Sequence, residues 1–205
     1  MRVGMRRFLL TATALALVVG AAGPARTSVL VSGTEVGGDV VFQGGGTLNL
    51  TGLSFVVQGT FGAAIAPSIG AISLGPVPGT PVDFYSGVTG PGSFGGGGNT
   101  VPSSGAGDRI LVASLQSLLS VPQGYNSGAP LTTTSTFAGA TFASLGATPG
   151  TYVWTWGTGV NADSFTLQIG PAAPAAAIPE PGTLALVLVG GMTTGAGFLR
   201  RRRRA

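Results

Sequence analysis

Tyr152-Val153-Trp154-Thr155-Trp156 and, after Gly157 to Asp163, Ser164-Phe165-Thr166-Leu167-Gln168-Ile169 alternate bulky apolar with small or polar residues. A period of two is that of a β-strand, whose successive side chains point to opposite faces. Two such runs joined by a short Gly-containing connection predict an antiparallel hairpin with one apolar face. Outward from it the interior keeps the same character. Short β-favouring runs at Ser28 to Val31, Asp39 to Gln43, Thr47 to Leu50, Leu53 to Gln58, Ile69 to Leu74, Val82 to Tyr85, Ile110 to Leu115 and Leu131 to Phe137 are punctuated by Gly and Pro. Outside the two ends no helical period is visible. Strands at intervals of roughly 8 to 15 residues predict an all-β fold: a single β-sandwich or jelly-roll-like domain over residues 26–169. A β-solenoid would need a fixed repeat, and none is present. Gly87 to Pro102, with Gly95-Gly96-Gly97-Gly98, reads as a mobile loop, and 170–177 as a Pro/Ala linker.

A pI near 10.7 would suit a nucleic-acid binder, but the placement of the charge argues otherwise. All ten basic residues are Arg; Arg2, Arg6 and Arg7 open the chain, Arg200 to Arg204 close it, and only Arg26 and Arg109 lie between. Against these stand Glu35, Asp39, Asp83, Asp108, Asp163 and Glu180, so the interior is weakly acidic and would repel phosphate. No nucleic-acid partner is expected. Charged residues are only 8% of the chain, and Gly (37) and Pro (14) are abundant, so Ser, Thr, Gly and Asn must cover the surface.

Residues 1–25 have the three parts of a secretory signal: a basic start, an apolar run from Phe8 to Val19 and a small-residue exit, with cleavage expected after Ala22 or Ala25. As a helix that run is about 18 Å long, short of the ~30 Å hydrocarbon core, which favours cleavage over anchoring. The Sec translocon and signal peptidase are the implied partners. At the other end Ile178-Pro179-Glu180-Pro181-Gly182 precedes an apolar stretch, and Arg200-Arg201-Arg202-Arg203-Arg204 follows it. Residues 183–199 are predicted to form a transmembrane helix about 25 Å long, at the lower limit of a span. The arginine cluster stops transfer, stays cytoplasmic and places everything upstream outside. Pro179 and Pro181 fix their own φ and bias Ile178 and Glu180 toward extended geometry, which presents Glu180 as a charged handle on a stiff peptide.

That order of pieces resembles the PEP-CTERM sorting proteins of Gram-negative bacteria; the likeness covers residues 178–205. It implies recognition of Pro179, Glu180 and Pro181 by an exosortase, a membrane-embedded cysteine transpeptidase-like enzyme. It also implies transient anchoring in the inner membrane, then release to the cell surface or medium. The resemblance further implies O-glycosylation and association with biofilm exopolysaccharide. Ser86-Gly87-Val88-Thr89-Gly90-Pro91, Val121-Pro122-Gln123-Gly124-Tyr125, Phe142-Ala143-Ser144-Leu145-Gly146 and Gly150 through Gly157 are similar to hallmarks of a recurrent PEP-CTERM ectodomain type to which no biochemical activity is attached.

With no His, Cys or Lys, the chain lacks the groups for a Ser-His-Asp triad, a thiolate nucleophile, a Schiff base or an ordinary zinc site. No catalytic activity, metal or cofactor is expected. The acids read as solvated loop residues rather than a glycosidase pair, and Asn161 with Asp163 as turn formers rather than calcium ligands. Tyr152, Trp154 and Trp156 share one strand face. Exposed, they would stack on sugar rings of a matrix polysaccharide; otherwise they are core. Thr132-Thr133-Thr134-Ser135-Thr136 reads first as a strand of high β-propensity, with O-glycan acceptance or an ice-binding or adhesin-like surface as further readings.

Overall fold

The computed structural model describes residues 28–170. The signal segment 1–25, Pro179-Glu180-Pro181, the 183–199 segment and Arg200 to Arg204 lie outside the described residues. Among the described residues no helix is long and apolar enough to cross a membrane.

Twelve strands form the fold. The first six are β1 (Ser28–Val36), β2 (Asp39–Thr47), β3 (Ser54–Phe61), β4 (Ala64–Ala66), β5 (Ala71–Leu74) and β6 (Thr80–Ser86). The remainder are β7 (Ser104–Gly107), β8 (Ile110–Ala113), β9 (Leu118–Pro122), β10 (Pro130–Phe137), β11 (Gly150–Trp156) and β12 (Asp163–Ile169). They make two six-stranded sheets, ordered β11-β12-β1-β2-β10-β7 and β3-β6-β9-β8-β5-β4. One apolar cluster spans both, with Val31, Phe42, Trp154 and Phe165 from the first sheet and Ile72, Val112, Leu119 and Val121 from the second. This is the all-β, sandwich-like character expected from the alternation.

The hairpin forms as its pattern predicts. β11 and β12 run antiparallel, with Tyr152 opposite Leu167 and Trp154 opposite Phe165, so the bulky residues share the inner face. β12 also pairs in parallel with β1, Val29 opposite Phe165 and Val31 opposite Leu167, which joins the two ends of the described chain inside one sheet.

Several boundaries differ from expectation. β2 ends at Thr47, and Leu50–Gly52 is a 3-10 turn rather than strand, because Asn49 accepts a hydrogen bond from the Thr51 N–H at 2.9 Å and turns the chain. The run from Ile69 begins as strand only at Ala71, after Gly70 adopts a left-handed φ of 58°. Residues Ser114–Ser117 form the turn between β8 and β9. β4, β7 and β9 are strands that propensity did not single out.

The segment Gly87 to Pro102 corrects the mobile-loop reading. It has no regular strand, yet it is pinned at three points: Thr89 bridges Thr155, Gly95 bridges Ala147 and Thr100 bridges Ile65. Its own Val88 and Phe94 are buried. A Cβ on Gly97 would lie 1.9 Å from the Leu145 carbonyl oxygen, and one on Gly95 would lie 2.0 Å from that of Gly146. Glycine is used here for close backbone approach rather than for flexibility. Two of these bridges touch edge strands, at Thr155 of β11 and Ile65 of β4; the other two edges among the described strands are the short β7 and the longer β3.

Candidate interaction surfaces

Trp154 and Trp156 are placed in the core, not on a surface. Trp154 is wholly buried; its ring meets Phe94 and Phe165 edge-on at centroid distances of 6.2 and 5.8 Å, and its indole N–H donates to Ser114 Oγ at 2.7 Å. Trp156 is 3% exposed and donates to the Asn49 carbonyl at 2.8 Å. Tyr152 is half-buried, packs on Phe94 and donates its hydroxyl to the Thr148 carbonyl at 3.0 Å. Of the two readings the sequence left open for these residues, stacking platform or core, both tryptophans take the core one. The inward face of a sandwich takes the largest apolar groups, and each buried indole N–H has found its acceptor.

The five acids of the described chain are more than loose solvated side chains: Asp83 and Asp163 are buried, and even the exposed Glu35 is tied to backbone. Glu35 accepts from the Phe142 N–H at 2.5 Å, Asp39 from Gly139 at 2.9 Å and Asp83 from Gly124 at 2.8 Å. Asp108 accepts from Thr132 at 2.8 Å and Asp163 from Asn49 at 2.6 Å. Each carboxylate thus ties a distant backbone donor that the strand ladders leave unpaired. Asp163 also accepts from the Ser164 N–H at 2.7 Å. Among the described residues no group of three or more metal-ligating side chains forms.

The two outer faces differ in chemistry. Strand pairing places Thr132, Thr134, Gln43, Ser32, Thr166 and Gln168 on the outside of the first sheet. The middle of this face is uncharged and carries hydroxyl and amide groups beside the exposed Leu30. It holds a shallow trough of about 580 Å³ between Leu30 and Ser32 on one side and Thr132 and Thr134 on the other, across Gly44.

The outside of the second sheet is apolar. Phe61, Ile69, Ala71, Phe84, Leu111 and Leu118 line a groove of about 330 Å³, with Asn99, Gln116 and Ser73 as its polar groups. An antiparallel sheet in a small protein ordinarily keeps one face wet, so a second apolar face is informative. The sequence carried the signal. Ile110-Leu111-Val112-Ala113 and Leu118-Leu119 are apolar without alternation, as strands covered on both faces are.

Beside this groove lies Arg109, the one cation among the described residues, 1% exposed. Its Nη2 donates to the Pro76 carbonyl, its Nη1 approaches Ser73 Oγ at 3.5 Å, and its Nε has no hydrogen-bond partner. Burial pushes the guanidinium pKa below its ordinary value. Desolvation likewise raises the Tyr85 pKa, with the Asp83 charge adding to it, and raises that of Tyr125 despite hydrogen bonds that oppose the shift.

Comparison with protein-family models, with curated proteins and with solved structures returned no match to this chain. The chemistry of the chain and its surfaces is therefore what bears on function.

Proposed function

We propose that this chain is an exported cell-surface or extracellular-matrix protein without catalytic activity, processed by an exosortase at Pro179-Glu180-Pro181. In this reading the signal helix over 1–25 directs Sec export. The helix over 183–199 holds the protein in the inner membrane, with Arg200 to Arg204 in the cytoplasm, until processing releases it. The observation that carries the reading is the order of the C-terminal pieces: a conformationally restricted acidic motif, an apolar stretch just long enough to span, and a cation cluster that resists crossing. An all-β fold whose acids are committed to its own backbone suits a passive surface module packed as a β-sandwich. Replacing Glu180 by Gln or Pro181 by Ala in the native host is expected to leave full-length protein in the membrane. Intact-mass analysis reads both termini, and unchanged release overturns the proposal.

A second reading, binding of a neutral matrix polysaccharide, is favoured by the hydroxyl- and amide-lined trough of the first sheet rather than by the tryptophans. Loss of polysaccharide retention in Thr132→Leu/Thr134→Leu would support it, and retention equal to wild type would end it.

A further inference from the structure

The apolar groove and the buried guanidinium belong to one face of the second sheet. Ser73 pairs with Leu111 and Ala71 with Ala113, and all four line the groove. Strand alternation carried one step before β8 puts Arg109 in the same row as Leu111 and Ala113. Its approach to Ser73 Oγ agrees, and so does the position of Gly75 across from it, where a Cβ would lie 3.1 Å from the Arg109 Cα. The row from Ala113 to Arg109 is about 13 Å long at ~3.3 Å per residue. The loop that follows β5 closes the far end: the Pro76 carbonyl accepts from Arg109, and Gly79 lies against the backbone of Phe61, which walls the groove.

Burying a guanidinium without a carboxylate is costly, and among the described residues no acid pairs with this one; Asp108 next to it accepts from the Thr132 N–H instead. An open apolar groove is also unfavourable in water. One ligand chemistry satisfies both features. We propose that the groove binds an amphipathic monoanion of the fatty-acid class, its alkyl chain along Phe61, Phe84, Leu118 and Leu111 and its carboxylate drawn to Arg109 past Ser73. The groove volume of about 330 Å³ falls in the range of small-ligand sites, ~300–1,000 Å³. Attraction between the guanidinium and the carboxylate supplies orientation, and the hydrocarbon supplies the driving force.

The test uses the full chain in nanodiscs with dodecanoate carrying ¹³C at its carboxyl carbon. Lipid-dissolved dodecanoate protonates at raised pH because its charge is desolvated, whereas a carboxylate beside Arg109 stays ionised to lower pH. The expected result is a distinct carboxyl signal with that low titration midpoint, which an equal concentration of 1-dodecanol displaces at least about tenfold less well than unlabelled dodecanoate does. Ala71→Phe, which fills the groove from the outer face and leaves Arg109 in place, is expected to abolish the signal. Arg109→Gln is expected to abolish its low midpoint. Absence of the signal in wild type, its persistence in Ala71→Phe, or equal displacement by 1-dodecanol overturns the proposal; neither 1-dodecanol competition nor Ala71→Phe requires that Arg109→Gln fold.

Discussion

The carboxylates of this domain act on its own backbone. Asp163 is 5% exposed and accepts from the Asn49 N–H, and the Asn49 carbonyl in turn accepts from Trp156. Both bonds hold the connection between β2 and β3 to the β11–β12 hairpin. Asp163→Ala leaves the Asn49 donor without this acceptor, and hydrogen bonds to charged groups are worth about 1.5–3 kcal/mol each. A loss of about 2–4 kcal/mol in urea unfolding is expected. Tyr125 plays a related part: its hydroxyl accepts from the Leu48 N–H at 2.9 Å and donates to the Ala129 carbonyl at 2.6 Å. Its pKa is raised in the fold, chiefly by burial. The folded state therefore holds the phenolic proton more tightly than the unfolded chain, in which tyrosine titrates near its ordinary value of about 10. That contribution is fully present below about pH 10 and is lost as pH rises through the higher folded value. The urea midpoint is expected to stay level into the mildly alkaline range and fall beyond it, and Tyr125→Phe to flatten that fall.

At the scale of elements, the glycine run Gly95 to Gly98 shows what composition does and does not convey. A Gly-rich stretch with no apolar period reads as flexible, yet two of its glycines sit where the backbone of Leu145 and Gly146 comes too close for a Cβ. Gly98 meets nothing within 4 Å. Gly97→Ala is thus expected to destabilise by about 2 kcal/mol or more through backbone displacement, and Gly98→Ala to stay within about 0.5 kcal/mol of wild type. Thermal unfolding of the two variants separates close approach from mobility, since flexibility alone would make them equivalent. The hairpin stands at the other extreme. Its strict alternation made strand type, partner and inner face legible from Tyr152 to Ile169, because one buried face specifies register. β4 and β7 were not legible. Three alanine-rich residues and a Ser-Gly-Ala-Gly run have little β-propensity, and they become strands because β5 and β10 offer them a ladder.

For the whole molecule, the parallel pairing of β1 with β12 is the closing contact, uniting residues more than 130 positions apart, as at Ser28 and Ser164. A chain ended at Gly157 loses β12, the strand paired with β11 and one of the two paired with β1, and with it the apolar residues Phe165, Leu167 and Ile169. Such a chain is expected to show no cooperative unfolding transition by circular dichroism, whereas removal of residues 171–205 leaves every strand of both sheets intact. Most pairings in both sheets are non-local, so refolding is expected on the millisecond-to-second scale of β-rich topologies. From its sequence alone this protein's strand-forming character, its weakly acidic and charge-poor interior and the lack of His, Cys and Lys were determined, since periodicity and composition are local properties. Only the tertiary structure decided that Gly95 and Gly97 press against distant backbone, that the acids cap distant backbone, and that Arg109 reaches a serine of an apolar groove. Which loop crosses a sheet, and which backbone donor a carboxylate reaches, depends on partners far away in the chain, and a local pattern carries no record of them.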